Sequence, residues 1–263
     1  MIRFTVVTIT YNAEAVLQRT LDSVLRQTYE EVEHLIIDGA STDGTLAMAE
    51  AYKQLSDSSE SNQHHVIIAS EPDQGIYDAM NKGLTQASGD YIVYMNAGDT
   101  FAQDDTLEEV VRRCRLGELP TAELPGVLYG NTNIVDGEGR FLRPRRLQPP
   151  ERLTWRSFRQ GMLVCHQAFY ARTDIAKNLQ FDTRYRFSAD VDWCIRVMRE
   201  AERMSLPLHN IGIVVANYLE EGATTKNHKA SLRERYLVMQ RHYGVVQTFL
   251  LHCWFAVRSV LKR

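Results

Sequence analysis

The sequence predicts an α/β fold in which a mainly parallel sheet is flanked by helices. In the first 100 residues, short runs of β-branched and aromatic residues alternate with segments whose apolar residues repeat at helical spacing. The order strand, helix, strand repeats there without interruption, and right-handed crossovers in such an order place helices on both faces of a parallel sheet. The 263 residues are enough to bury a substantial core.

Four strands and three helices are predicted before residue 100. The strands are the apolar runs FTVVTIT, EHLIID, HHVIIAS and YIVYM. The helices are AEAVLQRTLDSVLRQ, TLAMAEAYKQL and IYDAMNKGLTQA, in which apolar residues recur every three or four positions. A polar turn over 41–44 caps the second helix, and the segment 56–63 predicts a solvated loop.

The regular alternation ends near residue 100. A helix is predicted from about Asp104 to Arg115, followed by a strand around VLYGNTNIV, a glycine turn at 136–137 and an arginine-rich segment. Later elements are a strand at QAFYAR, a helix around DVDWCIRVMREA, a strand near HNIGIVVANYL and two closing helices. Because no repeat and no long linker divides the chain, we expect one domain with a regular first half and an irregular second half.

Composition and charge exclude several classes of protein. A net charge of −3 gives no general attraction to a polyanion, so no nucleic-acid partner is expected. The four cysteines are scattered, which is typical of reduced thiols in a cytosolic protein. The first residues lack a cleavable signal pattern, and no window has the ~18 to 20 apolar residues of a spanning helix. We therefore expect a cytoplasmic protein.

Polar residues follow the predicted strands at the edge where parallel sheets bind ligands. These residues are Thr10 to Asn12, Asp38 with Gly39, Glu71 to Asp73, and Asn96 to Asp99. A single carboxylate in such a position often only caps a turn or a helix. Three carboxylates after successive strands instead predict convergence on one site.

Six ordered motifs resemble those of family 2 glycosyltransferases, most closely enzymes of bacterial exopolysaccharide clusters of the colanic-acid type. They are VVTITYNAE, LIIDGASTDGT, SEPDQGIYDAMNKG, YMNAGDT, CHQAFY and SADVDWCIR. The resemblance covers about residues 4 to 225 and implies a GT-A fold. Its Rossmann-like nucleotide half (1–100) would join an irregular acceptor half (101–225), and C-terminal helices would follow over 226–263.

The same resemblance implies an inverting, metal-assisted enzyme. It would transfer a monosaccharide from a UDP- or GDP-linked sugar to a hydroxyl of a growing surface or exopolysaccharide glycan.

The resemblance assigns the nucleotide pocket to the first three strand ends. Thr10, Tyr11 and Asn12 would line the pocket for the base and ribose. Asp38 would accept a hydrogen bond from a base N–H, which a carboxylate does more strongly than a neutral acceptor. Asp73 would make a second contact with the base or ribose.

Three other segments resemble family positions, and each keeps an alternative. Lys82 would contact a phosphate or sugar hydroxyl, or it is a solvated lysine on a helix face. His166, next to Gln167, would bind substrate on the floor of the site, or it is a core histidine. The segment EGATT at 221–225, followed by His228, would cover the diphosphate, although Glu221 stands where relatives have a glycine.

Asp99 matches the last position of the family's DxD motif, so the resemblance implies that it binds Mg²⁺ or Mn²⁺. Asn96 replaces the first acid of that motif and would contact substrate. These ions take oxygen ligands and keep several waters, so one carboxylate suffices when the donor diphosphate completes the shell. We expect metal to bind weakly to the empty protein and well with nucleotide.

The resemblance places the catalytic base in an acidic pair at a helix start. Here the pair reads Ala189-Asp190, so Asp190 is the matched base and the partner acid is absent. The base would remove the acceptor hydroxyl proton as that hydroxyl attacks from the side opposite the leaving phosphate. A helix N-terminus favours an ionised carboxylate. Asp192 is expected to support or cap the helix.

Two segments bear on the acceptor. The arginine-rich segment over 140–159 is a solvated loop, or it grips a phosphate of the donor or of a polyprenyl-diphosphate-linked glycan acceptor. Near the C-terminus an apolar stripe recurs at helical spacing. Such a stripe packs against its own domain or a second subunit of a homodimer, or it makes peripheral contact with the inner face of the cytoplasmic membrane. Its members are Val246, Phe249, Leu250, Cys253, Trp254, Val257, Val260 and Leu261.

Two other function classes stay open. A sugar nucleotidyltransferase also places a metal at the edge of a Rossmann-like sheet, but it carries a glycine-rich basic loop after the first strand, which TYNAEAV lacks. A nucleotide-sugar-binding remnant without turnover is suggested by the missing acids before Asp99 and Asp190.

Overall fold

The computed structural model describes residues 1–59, 64–220 and 228–261, and in this part of the chain one nine-stranded sheet forms the centre of the fold. The strands are β1 (Phe4–Thr10), β2 (Val32–Asp38), β3 (His65–Ser70), β4 (Tyr91–Tyr94), β5 (Thr100–Phe101), β6 (Val127–Val135), β7 (Phe141–Pro144), β8 (Phe169–Arg172) and β9 (Leu208–Leu219). The α-helices of the described residues are α1 (Glu14–Leu25), α2 (Thr45–Asp57), α3 (Ile76–Gln86), α4 (Thr106–Arg113), α5 (Thr173–Ala176), α6 (Ala189–Arg203), α7 (His228–Tyr243) and α8 (Val245–Leu261).

The strand order is β3-β2-β1-β4-β8-β6-β9-β5, with β7 paired to β6. The first four strands of this order are parallel, whereas β8 runs antiparallel to both β4 and β6. Every residue of β1 and β2 is buried, as expected for parallel strands covered on both faces. The predicted α/β fold with a mainly parallel sheet and closing helices is confirmed.

Alternate residues of β2 face two different layers of helices, because side chains on a strand alternate between its faces. Ile36 belongs to a buried cluster with Leu17 and Leu21 of α1. Ile37 belongs to the larger core, which includes Leu84 of α3. The two layers leave the carboxyl ends of the strands as an edge that the helices do not cover.

A polar relay of hydrogen-bonded side chains, formed by Tyr52, His34 and Thr8, crosses this core and ends at the loop after β4. The hydroxyl of Tyr52 donates to His34 Nδ1 (2.7 Å), and His34 Nε2 lies 2.9 Å from Thr8 Oγ1, which donates to the Met95 carbonyl at 2.9 Å. Since Thr8 uses its own proton on Met95, it accepts from Nε2. The relay fixes the main chain directly before Asn96. Burial, aided by the charge of His64, lowers the pKa of His34 to about 3.

Helix α7 is tied to α6 through Asp192, which is completely buried. The Asp192 carboxylate accepts from Arg196 Nε at 2.6 Å and from His242 Nε2 at 2.7 Å. Burial raises the pKa of Asp192, but these hydrogen bonds and the Arg196 charge outweigh it and lower the pKa. Asp192 is therefore a structural link, as its position after Asp190 suggested. The boundary predicted at 225/226 lies outside the described residues.

None of the helices described has the length and apolar character needed to span a membrane.

Replacing His34 by Gln should make the free energy of unfolding fall less steeply as the pH is lowered. The folded-state pKa of His34 lies below that of the unfolded state, so its contribution to stability is complete above about pH 6.5 and is lost as pH falls towards 3. The wild type should lose up to about 1.4 kcal/mol more per pH unit than His34→Gln in that window, as measured by urea unfolding. The control is His209→Gln, because His209 is exposed on β9. Equal slopes in wild type and His34→Gln would contradict the prediction.

Candidate active site

Tyr11, Gly39 and Asp73 meet at the ends of the first three strands. A Cβ atom on Gly39 would overlap Asp73 Oδ2 and lie 3.3 Å from Tyr11 Cδ2. The carboxylate and the aromatic ring thus both approach the main chain at Gly39, and a side chain there would require Asp73 to move. The Tyr11 side chain is 63% exposed, so its ring is open to a ligand.

Asp38 is completely buried and anchors the turn that follows β2. Its Oδ2 accepts from Ser70 Oγ at 2.6 Å and from the Ser41 main-chain N–H at 3.0 Å, and its Oδ1 accepts from Ser41 Oγ. Three of the roughly four acceptor positions of a carboxylate are thus filled by protein donors. The predicted hydrogen bond from an N–H group of the nucleobase would use the remaining acceptor position.

Thr10 and Asn12 join the end of β1 to the same turn. Asn12 adopts a left-handed conformation (φ 46°), and its Oδ1 accepts from the Thr42 N–H at 2.8 Å. The Thr10 carbonyl accepts from the Gly39 N–H at 2.9 Å. The Thr10 hydroxyl is buried and has no hydrogen-bond partner among the described residues. Asn12 therefore shapes the pocket wall, whereas Thr10 keeps a free hydroxyl.

Lys82 contacts the loop that carries Asp73. Its Nζ donates to the Pro72 carbonyl at 2.8 Å and lies 3.0 Å from Glu71 Oε1, and the side chain is 22% exposed. Asp73 in turn accepts from the Gly75 N–H at 2.7 Å. Lys82 thus positions this loop, and its predicted contact with phosphate or sugar stays a prediction.

The carboxylate of Asp99 is almost completely buried, with 4% exposed. Its Oδ2 accepts from Gln167 Nε2 at 2.7 Å, and its Oδ1 accepts from the Leu219 N–H at 3.0 Å. Burial raises the pKa of Asp99 to about 6, although both hydrogen bonds lower it. Thr20, which the sequence did not single out, donates to the Asp99 carbonyl at 2.7 Å and accepts from the Gly98 N–H at 2.8 Å.

A chain of hydrogen bonds links the end of β4 to the start of α6. Asn96 Nδ2 lies 3.1 Å from His166 Nε2, and His166 Nδ1 lies 3.2 Å from Asp190 Oδ2. Asp190 Oδ1 accepts from the Tyr77 hydroxyl at 3.1 Å and from the Val191 N–H at 2.9 Å. The fold therefore brings together three predicted site residues that are up to 94 positions apart in the sequence.

Asp190 is held in its ionised form. Burial raises its pKa, but the hydrogen bond and charge of His166, the charge of Arg235 and the Tyr77 hydroxyl outweigh burial and lower the pKa. The side chain is 15% exposed, so a substrate can still reach it. Tyr77 and Arg235 are site residues that the sequence did not reveal, because a buried tyrosine and a helical arginine usually have no such role.

The oxygen atoms that the protein offers as metal ligands suit a hard cation that takes further ligands from a substrate. Within the described residues, no group of three or more His, Cys, Asp or Glu side chains could hold a metal ion. Two neutral oxygens, Asn96 Oδ1 and Gln167 Oε1, are nevertheless buried without a partner in the part described. Carboxylate and amide oxygens are ligand types that Mg²⁺ and Mn²⁺ accept. One carboxylate with two amide oxygens fits a weak site that a diphosphate would complete.

The arginine-rich segment is largely occupied by contacts within the protein. Arg145 donates to the carbonyls of Leu147, Met162 and Leu163 at 2.6 to 3.1 Å, and Arg143 pairs with Glu220 at 2.6 Å. Arg145 is thus a structural residue. The predicted loop at 221–225 and the His228 side chain lie outside the described residues.

Comparison with known proteins identifies the family. The model of "Glycosyl transferase family 2" matches residues 5–179. A "PGL/p-HBAD biosynthesis glycosyltransferase" of Mycobacterium tuberculosis is 32% identical over 222 residues, which are 83% of this chain and 77% of the relative. The chain belongs to glycosyl transferase family 2. The amylovoran biosynthesis glycosyltransferase AmsB of Erwinia amylovora, 27% identical over 82% of this chain and 69% of its own, is similar to this family 2 chain as well.

Solved structures confirm the GT-A fold predicted for this family 2 chain. Staphylococcus aureus TarS in complex with UDP-GlcNAc has a TM-score of 0.68 and 18% identity over 90% of this chain and 66% of its own. Mannosyltransferase PcManGT of Pyrobaculum calidifontis, in complex with GDP-Man and Mn²⁺, has a TM-score of 0.60 and 19% identity over 91% of this chain. The family 2 chain spans about two thirds of both solved chains, 66% and 64%.

Asp99→Asn should stabilise the protein at neutral pH when metal is removed with EDTA. The folded-state pKa, about 6, is raised above the ordinary value, so the stability contribution of Asp99 is complete below about pH 4 and is lost as pH rises through 6. At pH 7.5 the free energy of unfolding of Asp99→Asn should exceed that of the wild type by up to about 3 kcal/mol. Gln167 can turn its own amide to pair with the introduced side-chain amide.

Urea unfolding at pH 7.5 and pH 4 measures this gain. The control is Asp57→Asn, because Asp57 is a half-exposed partner of Lys53 and should give no pH-dependent gain. A loss of stability at pH 7.5, or the same difference at both pH values, would refute the prediction for Asp99.

Proposed function

We propose that this protein is an inverting glycosyltransferase. It moves a monosaccharide from a nucleoside diphosphate sugar to a hydroxyl of a growing surface or exopolysaccharide glycan. The observation that carries the proposal is the ionised, partly exposed Asp190, held by His166 and Tyr77 beside the strand ends. Membership of glycosyl transferase family 2 and the exopolysaccharide relative support the reaction class.

Asp190 acts as the base through Oδ2. Its Oδ1 already accepts two hydrogen bonds, from Tyr77 and from the Val191 N–H, whereas Oδ2 accepts one, from His166. As the acceptor hydroxyl oxygen bonds to the anomeric carbon, the bond from that carbon to the diphosphate oxygen breaks on the opposite face. The hydroxyl proton passes to Asp190 Oδ2, and the diphosphate leaves with the electron pair of the broken bond.

The nucleotide is proposed to bind at the ends of the first three strands. The exposed Tyr11 ring would contact the base, and Asp38 and Asp73 would accept from base or ribose donors. Thr10 offers a free hydroxyl, and Asn12 fixes the wall of the pocket. Structural neighbours crystallised with UDP-GlcNAc and with GDP-Man support a UDP- or GDP-linked donor.

Mg²⁺ or Mn²⁺ is proposed to bind at Asp99, and the oxygens of Asn96 and Gln167 that are buried without a partner in the part described are proposed to complete the protein's donor set. When bound, the ion would neutralise charge on the departing diphosphate. The structurally similar mannosyltransferase PcManGT was crystallised with Mn²⁺, which supports a divalent metal as cofactor. Because the protein supplies one carboxylate, we propose that tight binding requires nucleotide.

Neither alternative explains the site as well. The lack of a glycine-rich basic loop after β1 and the family assignment oppose a sugar nucleotidyltransferase. A binding protein without turnover would not need to keep Asp190 ionised by hydrogen bonds from two other elements of the fold.

Asp190→Asn should lower kcat for transfer by about 10²- to 10⁴-fold and leave donor binding unchanged, because it removes the base and keeps the shape of the side chain. Sugar transfer from UDP- and GDP-sugars, and inversion at the anomeric carbon, are followed by NMR. Thermal shifts with UDP or GDP, with and without Mn²⁺, report donor binding. Asp174→Asn, an exposed aspartate on α5, is the control. Full activity in Asp190→Asn, or retention of configuration, would overturn the proposal.

We also propose that the acceptor is linked to a lipid, and that α8 contacts the inner face of the cytoplasmic membrane. Val246, Phe249, Leu250 and Trp254 lie on one side of α8 and are 57 to 74% exposed. Residues 228–263 carry seven Lys or Arg and one Glu, a net charge of +6 in a chain of net charge −3. An exposed apolar helix face within a basic C-terminal segment matches an anionic lipid surface. Two copies of so basic a segment would repel each other, which opposes a homodimer through this face.

Full-length protein should float with vesicles that contain phosphatidylglycerol and stay unbound with phosphatidylcholine alone. Replacing Phe249, Leu250 and Trp254 together by Ser should reduce binding about ten-fold or more, because the buried apolar area is lost. The matched control is Phe141→Ser with Leu142→Ser, which removes exposed apolar residues of β7. Equal flotation of the two variants, or a dimer in solution that the triple variant abolishes, would contradict membrane contact.

A further inference from the structure

A cavity lies apart from the active site, towards the C-terminal end of α6. It has a volume of about 540 Å³, and Trp155 and Leu179 form part of its wall. Asp190 is in the first turn of α6, whereas Arg199 of the cavity wall is nine residues further on. Because an α-helix rises about 1.5 Å per residue, the two lie roughly 14 Å apart along the helix axis. The cavity is therefore distinct from the site of the proposed base.

Four arginines and two glutamates line this cavity, an excess of two positive charges. Three of the arginines belong to α6 and are spaced by three and by four residues, so they share one face of the helix. The fourth comes from the 3₁₀ helix Trp155–Gln160. The charged lining residues are Arg156, Arg196, Arg199, Arg203, Glu200 and Glu202. Such a lining attracts an anion.

The glutamates do not occupy all of these arginines. Arg156 pairs with Glu202 at 3.2 Å and Arg203 with Glu200 at 2.6 Å, but both of these arginine side chains are more than half exposed. Exposed pairs contribute little and are readily exchanged for another partner. Arg199 makes no hydrogen bond or ion pair within the described residues, so its guanidinium is available to a ligand.

Trp155 brings two of the guanidinium groups together. The Cζ atoms of Arg156 and Arg199 lie 4.4 and 5.0 Å from the centroid of the Trp155 ring. The ring itself is fixed, because its Nε1 donates to Glu202 at 2.5 Å and it stacks on Tyr243 with an interplanar angle of 5°. A phosphate would offset the repulsion between the two cations and accept N–H bonds from both.

The wall of the cavity continues into the exposed apolar surface of α8. Tyr243, the last residue of α7, stacks on Trp155 and donates to its carbonyl at 2.7 Å. Helix α8 begins two residues later and packs against the 3₁₀ helix Trp155–Gln160. Val245 and Val246, in the first turn of α8, are 63% and 74% exposed. A phosphate group next to apolar surface is what a phospholipid offers and a free phosphate ion does not.

We propose that this cavity binds the phosphate of an anionic membrane phospholipid, with Arg156 and Arg199 as hydrogen-bond donors. The inference rests on the proposed contact of α8 with the membrane, and it names the lipid group that this contact recognises. Apolar burial and diffuse charge attract α8 to any anionic surface, whereas the cavity adds a defined contact with the headgroup. Because α6 carries Asp190 at its other end, a headgroup held here also sets how the active site faces the lipid surface.

Arg199→Lys tests the defined contact, because it keeps the charge and removes the planar set of guanidinium donors. In flotation with vesicles of phosphatidylcholine and phosphatidylglycerol, full-length Arg199→Lys should bind about five-fold more weakly than wild type, which is about the contribution of one basic contact. The matched control is Arg233→Lys, at an exposed arginine of α7. It should bind like wild type, since diffuse attraction depends on charge alone.

Soluble probes separate the cavity from the vesicle surface. Monomeric dihexanoyl phosphatidylglycerol, below its micelle concentration, should raise the Tm of the wild type and of Arg233→Lys but not that of Arg199→Lys. Inorganic phosphate at the same concentration and ionic strength should raise the Tm of the wild type less. UDP or GDP with Mn²⁺ should shift all three proteins equally, because Arg199 lies outside the active site.

The inference is overturned if Arg199→Lys binds vesicles and the short-chain lipid as the wild type does. It is also overturned if inorganic phosphate raises the Tm as much as the short-chain lipid, because the cavity would then be a site for soluble phosphate. A wild type that floats with no vesicles refutes the proposed membrane contact of α8. The short-chain lipid then still decides, by comparison with Arg199→Lys, whether the cavity binds a lipid phosphate.

Discussion

Three carboxylates at the edge of the sheet are buried or largely buried, and each is held by hydrogen-bond donors of the protein. Burying an ionised carboxylate without partners is prohibitively costly, so the donors define where each carboxylate can be. Asp38 takes donors from Ser41 and Ser70, Asp99 from Gln167 and Leu219, and Asp190 from His166, Tyr77 and Val191. The geometry of the site follows from these bonds.

The balance between burial and hydrogen bonding differs among these groups and sets their chemistry. At Asp99 burial prevails and raises the pKa to about 6, whereas at Asp190 the hydrogen bonds and nearby positive charges prevail and lower the pKa. A group with raised pKa gains most from a cation that replaces its proton, and an ionised group is ready to accept a proton from a hydroxyl. Two aspartates in one site are thereby suited to metal binding and to base catalysis.

The C-terminal helices contribute to the site as well as to a surface. Glu234 of α7 accepts from the main-chain N–H groups of Arg186 and Phe187, four and three residues before Asp190, and Asp192 ties α6 to His242. The position of Asp190, the proposed base, therefore depends on packing of α7 against α6. Helix α8, which follows α7 directly, carries the exposed apolar face, so contact of α8 with a lipid surface would be connected through α7 to the helix that carries Asp190.

The sequence by itself determined the strand and helix order, the parallel first half and the motifs of the family, because apolar periodicity and strand-end polar residues are local signals. It also singled out Asn96, His166, Asp99 and Asp190. Only the tertiary structure decided how they act, since their partners are 24 to 120 positions distant and hydrogen bonding depends on orientation. Lys82 and Arg145 look like ligands for phosphate in the sequence, yet both donate to main-chain carbonyls. Asn96 looks like a missing acid, and the fold makes it the donor opposite His166.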